Sequence, residues 1–160
     1  RRGRVRSAAV EALADLFGAG DMRGSRLLAK RLGDPDAGVR AAALAAVQQL
    51  AAPGSGAAMV GAAAAHLGSH DEAVRVSAVD AVAKLAESGC DVAIKALSRA
   101  LGDGSGRVRA AAAEAVVGVA GSRHPTALAE VAALLGDLSW QVRWSAAGIF
   151  AALAVDSDAR

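Results

Sequence analysis

The sequence predicts an all-α fold, an α-α superhelix of about four and a half two-helix repeats. Three observations carry that prediction. A Val-Arg pair returns at Val5-Arg6, Val39-Arg40, Val74-Arg75, Val108-Arg109 and Val142-Arg143, at intervals of 34 or 35 residues. Each pair opens an apolar series at offsets 0, 4, 8 and 11, which is one stripe of an α-helix. Hydrophobic residues make up 54% of the chain, yet aromatic residues only 2%, with no Tyr. Alanine carries the apolar content, and a core of small side chains favours close-packed helices over strands.

The elements follow in order. A helix over 3–17 carries Val5, Ala9, Leu13 and Leu16 as its stripe. It is the second helix of a pair whose first helix is not in the sequence. A first helix over 22–32 ends on Leu32-Gly33-Asp34. There Leu32 closes an apolar face and Gly33 suits a C-terminal cap at positive φ. Asp34 offers an oxygen to the amides that open the next helix, and Pro35 fits a first helical position. The second helix, 37–51, carries Val39, Ala43, Val47 and Leu50. Pro53-Gly54-Ser55-Gly56 breaks the chain before helices over 57–67 and 72–87, which are joined through Leu67-Gly68-Ser69. The later pairs are 91–101 with 106–120 and 125–135 with 140–153, joined through Leu101-Gly102-Asp103 and Leu135-Gly136-Asp137. The units of this single array are approximately 1–20, 21–54, 55–89, 90–123 and 124–160. One helix pair cannot bury its apolar face alone, so the pairs are expected to stack on their neighbours.

At these residues the chain resembles the HEAT-repeat family of armadillo-like solenoids, including the short HEAT-like repeats of phycobilin lyase-type proteins, over nearly all of its length. In that family an Asp in the turn and an Arg early in the second helix build a ladder between successive repeats. The resemblance implies a structural ladder from Asp34, Arg40, Arg75, Asp103, Arg109, Asp137 and Arg143, with Ser69 in place of a carboxylate before Arg75. The proline common inside the family's first helices is missing here. Val39 is then core and Arg40 a rung. Neither end of the array supplies a polar cap, so the chain is expected to be a segment of a longer array or to dock against another protein.

Composition narrows the partners. Eighteen basic and 16 acidic residues leave a net charge of +2, too mild by itself to imply nucleic acid. Cys90 is alone, which excludes an internal disulfide and fits an intracellular, reducing compartment, the cytoplasm before an organelle. The uncharged run 41–70 is split by Gln48-Gln49 and by the breaker into pieces too short to span a bilayer. No signal-peptide h-region follows the basic start, and the chain reads as soluble.

Catalytic signatures are absent: there is no HExxH, paired CxxC, Walker loop or GxSxG. His66 and His70 have ligand-like spacing, but Gly68 lies between them at a helix end, and they read as features of a turn. Iron-binding HEAT-like hydroxylases use His-Glu pairs, and no His here precedes Glu. The glycine-rich 102–107 turn, beside Arg107 and Arg109, has the form of an anion-binding helix start but reads as a flexible version of the repeat turn. No cofactor and no metal are expected, and the chain is read as a non-enzyme.

Surface charge is more telling. Six residues after the repeat valines stand Glu11, Ala45, Asp80, Glu114 and Gly148, a mildly acidic inner ridge that would repel phosphate. Arg26 with Lys30, and their repeat equivalents Lys95 with Arg99, form two basic patches on first helices. They are either solvated faces or docking points for an acidic partner. Trp140 and Trp144 flank Val142 at positions held elsewhere mostly by small or polar residues. Their i, i+4 spacing puts both rings on one face, either as an end cap of the array or as a partner anchor.

Three functions fit such an array. The expected one is a non-catalytic scaffold that binds one or more proteins within a larger assembly, without nucleic acid and without a membrane span. A bilin-lyase-like chromophore chaperone or enzyme is the alternative. A HEAT-like DNA-binding protein comes third, against the acidic ridge.

Overall fold

Runs of alanine broken by branched apolar residues at helical spacing fold into helices along the whole described chain. The computed structural model describes residues 2–52 and 54–155; Pro53 of the predicted breaker and residues 156–160 of the last predicted unit lie outside the described residues. The helices are α1 (Arg2–Leu16), α2 (Met22–Ala29), α3 (Ala37–Leu50), α4 (Gly56–Ala64), α5 (Glu72–Leu85), α6 (Asp91–Ala100), α7 (Gly106–Ala120), α8 (Pro125–Leu134) and α9 (Trp140–Ala154). Lys30–Gly33 and Ala65–Gly68 continue α2 and α4 as 3-10 turns, so the predicted first helices 22–32 and 57–67 tighten before they end. The architecture is all-α and helical-repeat. The chain divides into two compact units, Arg1–Leu85 and Ala86–Arg160.

In the first unit α2 packs on α3 and α4 on α5, while α1 lies against α3 and α3 against α5. In the second, α6 packs on α7 and α8 on α9, with α6 against α8 and α7 against α9. First helices thus meet first helices and second helices meet second helices, as stacked pairs require. Most of the predicted stripe forms core where a first helix covers it, with Leu85 of α5 and Phe150 of α9 left partly exposed. Val39, Ala43, Val47 and Leu50 are buried on α3, and Val108, Ala112, Val116 and Val119 on α7.

α1 departs from this expectation. Val5 and Leu16 are 70% and 79% exposed, and α1 instead buries Val10 and Ala14, on the side turned to α3. No first helix covers the predicted stripe of α1 among the described residues. Stripe chemistry sets which residues are suited to burial, but a neighbouring helix is what removes them from water.

The turns also differ from their sequence reading. Gly33, Gly68, Gly102 and Gly136 do not adopt positive φ. Positive φ is found at Gly20 (86°), Gly54 (82°), Gly89 (73°) and Arg123 (54°), which are themselves one repeat apart, and at Gly121 (68°), the C-cap of α7. These residues turn the chain from a second helix into the next first helix. The amides of Gly20, Gly89 and Arg123 donate to the carbonyls of Leu50, Val119 and Leu153, at 2.9, 2.7 and 2.7 Å. Each such bond ties the loop of one repeat to the last turn of the following second helix, and the left-handed backbone is what aims the amide there. Pro35 precedes the helix instead of starting it: Asp36 is the N-cap of α3 and accepts the amides of Gly38 and Val39. Pro125, by contrast, does occupy the first turn of α8.

Candidate functional site

The repeat arginines come first, because their chemistry decides whether they are free to bind anything. Nη1 of Arg40 donates to the carbonyls of Asp34 and Pro35, at 2.8 and 2.9 Å. Arg75 does the same to Ser69 and His70, Arg109 to Asp103 and Gly104, and Arg143 to Asp137 and Leu138. Each guanidinium therefore clamps its own turn through the backbone. The carboxylates of Asp34, Asp103 and Asp137 accept the amides two residues on, from Asp36, Ser105 and Ser139 at 2.9, 2.7 and 2.8 Å. Ser69 repeats this contact with its hydroxyl, accepting from the Asp71 amide at 3.3 Å. These side chains shape the turn, and the helix N-cap stands two residues later than the sequence suggested.

The ion pair joining successive repeats runs from a residue that the ladder reading did not include. Arg6 forks the Asp34 carboxylate, with Nε to Oδ2 at 2.9 Å and Nη2 to Oδ1 at 2.8 Å. This rung joins the arginine of one repeat to the aspartate of the next turn, and the Asp34 carboxylate is taken by Arg6 while Arg40 binds the Asp34 backbone carbonyl. Where the next turn offers Ser69 and no carboxylate, Nε of Arg40 reaches Ser77 Oγ at 2.9 Å instead. The signal for Arg6 was present in its Val-Arg pair, which opens the series.

The hydrogen bonds from Arg6 hold the Asp34 carboxyl below its ordinary range, against the opposing effect of burial and with help from the Asp36 amide. A depressed carboxyl stabilises the fold above its unfolded pKa of about 4 and loses that contribution as pH falls through its lower folded value. Asp34→Asn is accordingly expected to lower the melting temperature at neutral pH and to converge on the parent chain in strong acid. Melting curves from pH 7 down to about pH 2 check this, and a constant gap across that range would contradict it.

Of the candidate contact residues, Arg26 and Lys30 are exposed on α2 and its 3-10 extension, and Lys95 and Arg99 are exposed on α6. Each pair shares a helical face by its four-residue spacing. The two pairs belong to different compact units. Trp140 and Trp144 stand 64% and 78% exposed on α9. Glu11, Asp80 and Glu114 are exposed at their predicted ridge positions.

His66 and His70 do not converge. The His66 ring lies 3.2 Å from the Ala29 carbonyl, while His70 is exposed and gives its own carbonyl to Arg75. In the 102–107 turn, Asp103 accepts the Ser105 amide and Ser105 accepts the Arg107 amide, so side chains of the turn itself take up its amides. Among the described residues no helix is long and apolar enough to cross a membrane, and no group of three His, Cys, Asp or Glu is placed to hold a metal ion.

Comparison with known proteins agrees with the turn and stripe geometry. A family model described as HEAT repeats matches residues 26–117, from within α2 into α7. No curated protein matches the chain.

Proposed function

Because the chain belongs to the HEAT-repeat family, we propose that it serves as a non-catalytic scaffold that holds one or more protein partners. The observation that supports this reading best is the pair Trp140 and Trp144, two large indoles on one face of α9 in a protein that otherwise contains almost no aromatic side chains. Exposed tryptophans of this kind gain most from being desolvated at an interface, where truncating one costs about 2 kcal/mol or more. The basic faces of α2 and α6 suit a partner with acidic segments, and they act on encounter and orientation more than on final affinity. The exposed acids Glu11 and Glu114 weigh against a phosphate-rich partner, while Asp80 at the same repeat position is paired with Lys84 at 2.9 Å. Two clefts of the first unit hold about 100 and 210 Å³, smaller than the roughly 300–1,000 Å³ usual for a small-molecule site.

The test is affinity capture from the native source with the intact protein, comparing it with Trp140→Ala/Trp144→Ala. Both indoles are exposed, so the double variant is expected to keep its stability within about 1 kcal/mol while losing the captured protein. A variant that melts much earlier yet keeps its partner would make the tryptophans part of the fold and overturn their role as anchor.

A further inference from the structure

We propose that the cleft between α3 and α5 binds a single carboxylate, held by the Arg40 guanidinium and the Ser77 hydroxyl. The site lies within the first unit and does not depend on the role of Trp140 and Trp144.

Arg40 is 7% exposed, and its Nε and Nη1 hold Ser77 Oγ and the carbonyls of Asp34 and Pro35. All three acceptors are uncharged. Among the described residues no carboxylate pairs with Arg40, and no hydrogen bond engages its Nη2. A buried guanidinium is costly without a counter-charge, and a donor without an acceptor adds to that cost. Arg6, one repeat earlier, meets the cost with Nε and Nη2 on the Asp34 carboxylate. In the turn after Arg40 the residue in register with Asp34 is Ser69, whose hydroxyl accepts the Asp71 amide. The rung is therefore built on its arginine side, and its own turn supplies no carboxylate to complete it.

Space and a second donor adjoin the guanidinium. Arg40 and Ser77 line a cleft of about 100 Å³ together with Leu32, Ala41, Leu44 and Ala81. That volume is the share of about three water molecules, enough for a carboxylate. Ser77 Oγ accepts from Nε and keeps its own proton to donate. Nη2 and the Ser77 hydroxyl thus offer two donors, one for each oxygen of a planar anion. Apolar walls strengthen both bonds by limiting competition from water. The other charged side chain on the cleft is Asp80, which carries Lys84 at 2.9 Å and makes no described bond to Arg40. The Asp80–Lys84 pair adds no net charge. Its carboxylate nonetheless repels a doubly charged phosphate more than a singly charged carboxylate, and the small volume favours the same choice.

Nuclear magnetic resonance of the intact protein, labelled with ¹⁵N at arginine, tests this through the Arg40 Nε–Hε signal. The probe is sodium acetate, exchanged for sodium chloride at constant ionic strength. A saturable shift is expected, with a Kd of about 1–50 mM. Ser69→Asp offers a carboxylate from the chain's own turn, and Asp34, Asp103 and Asp137 show that such a turn accepts one. Ala41→Leu fills the cleft from an exposed position without removing any bonding partner of Arg40. Each variant is expected to weaken acetate binding at least about tenfold. If one of them loses its fold by circular dichroism, the other decides. A blocked glutamate, N-acetyl-glutamate methylamide, separates two sources of the carboxylate. Binding as tight as acetate assigns the site to an acidic side chain of a partner, and binding of acetate alone assigns it to a free small acid. An Arg40 signal that does not respond when acetate replaces chloride, or acetate binding that survives either variant in folded protein, overturns the proposal.

Discussion

Arg40→Ala is expected to cost about 2–4 kcal/mol of stability, while Arg143→Ala, at the same repeat position, costs less than about 1 kcal/mol. The two arginines make the same pair of bonds to their turns, so the bond count alone does not separate them. Burial does. Arg40 is 7% exposed and adds the bond from Nε to Ser77 on the adjoining helix, whereas Arg143 is exposed. Truncating Arg40 strands the Asp34 carbonyl where water replaces the lost donor poorly, and removes part-buried bonds to the Pro35 carbonyl and the Ser77 hydroxyl. At Arg143 water replaces them freely. Arg40→Lys should recover little, because one ammonium group cannot reproduce a planar fork that serves two carbonyls and a hydroxyl on another helix. Urea unfolding of the three variants measures the difference. Equal losses at positions 40 and 143 would mean that the clamp on the turn, and not its burial between helices, carries the energy.

Much of the architecture was legible because a repeat states its rule several times. The Val-Arg phrase marks the start of each second helix, and the offsets of 0, 4, 8 and 11 find the buried stripe of α3 and α7 residue by residue. The same rule misplaces α1, since periodicity describes the side chains of a helix and says nothing of whether another helix stands against them. Val5 and Leu16 have the chemistry of core and the environment of surface.

The turns were legible in composition but not in function. The Leu-Gly-Asp phrase invites a glycine cap and an aspartate N-cap. The chain instead passes through 3-10 geometry after α2 and α4 and spends positive φ at the opposite loops, on Gly20, Gly54, Gly89 and Arg123. That series was hidden because Arg123 breaks the glycine pattern in its last member. The Arg6–Asp34 pair was hidden for another reason: it joins residues 28 apart, and sequence spacing carries no information on which of two arginines a carboxylate will meet. The exposure of Trp140 and Trp144 was legible from the small residues at their repeat equivalents.

Leu97→Ala is expected to lower stability by about 3 kcal/mol, within the usual range of about 2–5 kcal/mol for a buried leucine. Leu97 is fully buried on α6, which packs on α7 and α8. Its effect should be large because alanines stand among the side chains of this core and are too short to reach into a vacated space. Alanines at Ala93, Ala112, Ala127 and Ala146 are fully buried among the branched side chains of the second unit, each contributing little more than one methyl group. Small neighbours held by rigid helix backbones cannot move in to fill a leucine-sized void, so the cavity persists and its cost adds to the lost transfer energy. Leu138→Ala is the control: that side chain is 100% exposed, and its removal should change stability by no more than about 0.5 kcal/mol. The loss at position 97 also reaches the surface, because Lys95 and Arg99 flank Leu97 and are held in place by the packing of the same helix. Urea denaturation should show a lower midpoint for Leu97→Ala with an unchanged slope, and binding of any partner that uses the α6 basic face should weaken with it. A loss below about 1 kcal/mol would mean that the alanine-rich helices close over the gap, and that packing here is softer than the burial of Leu97 implies.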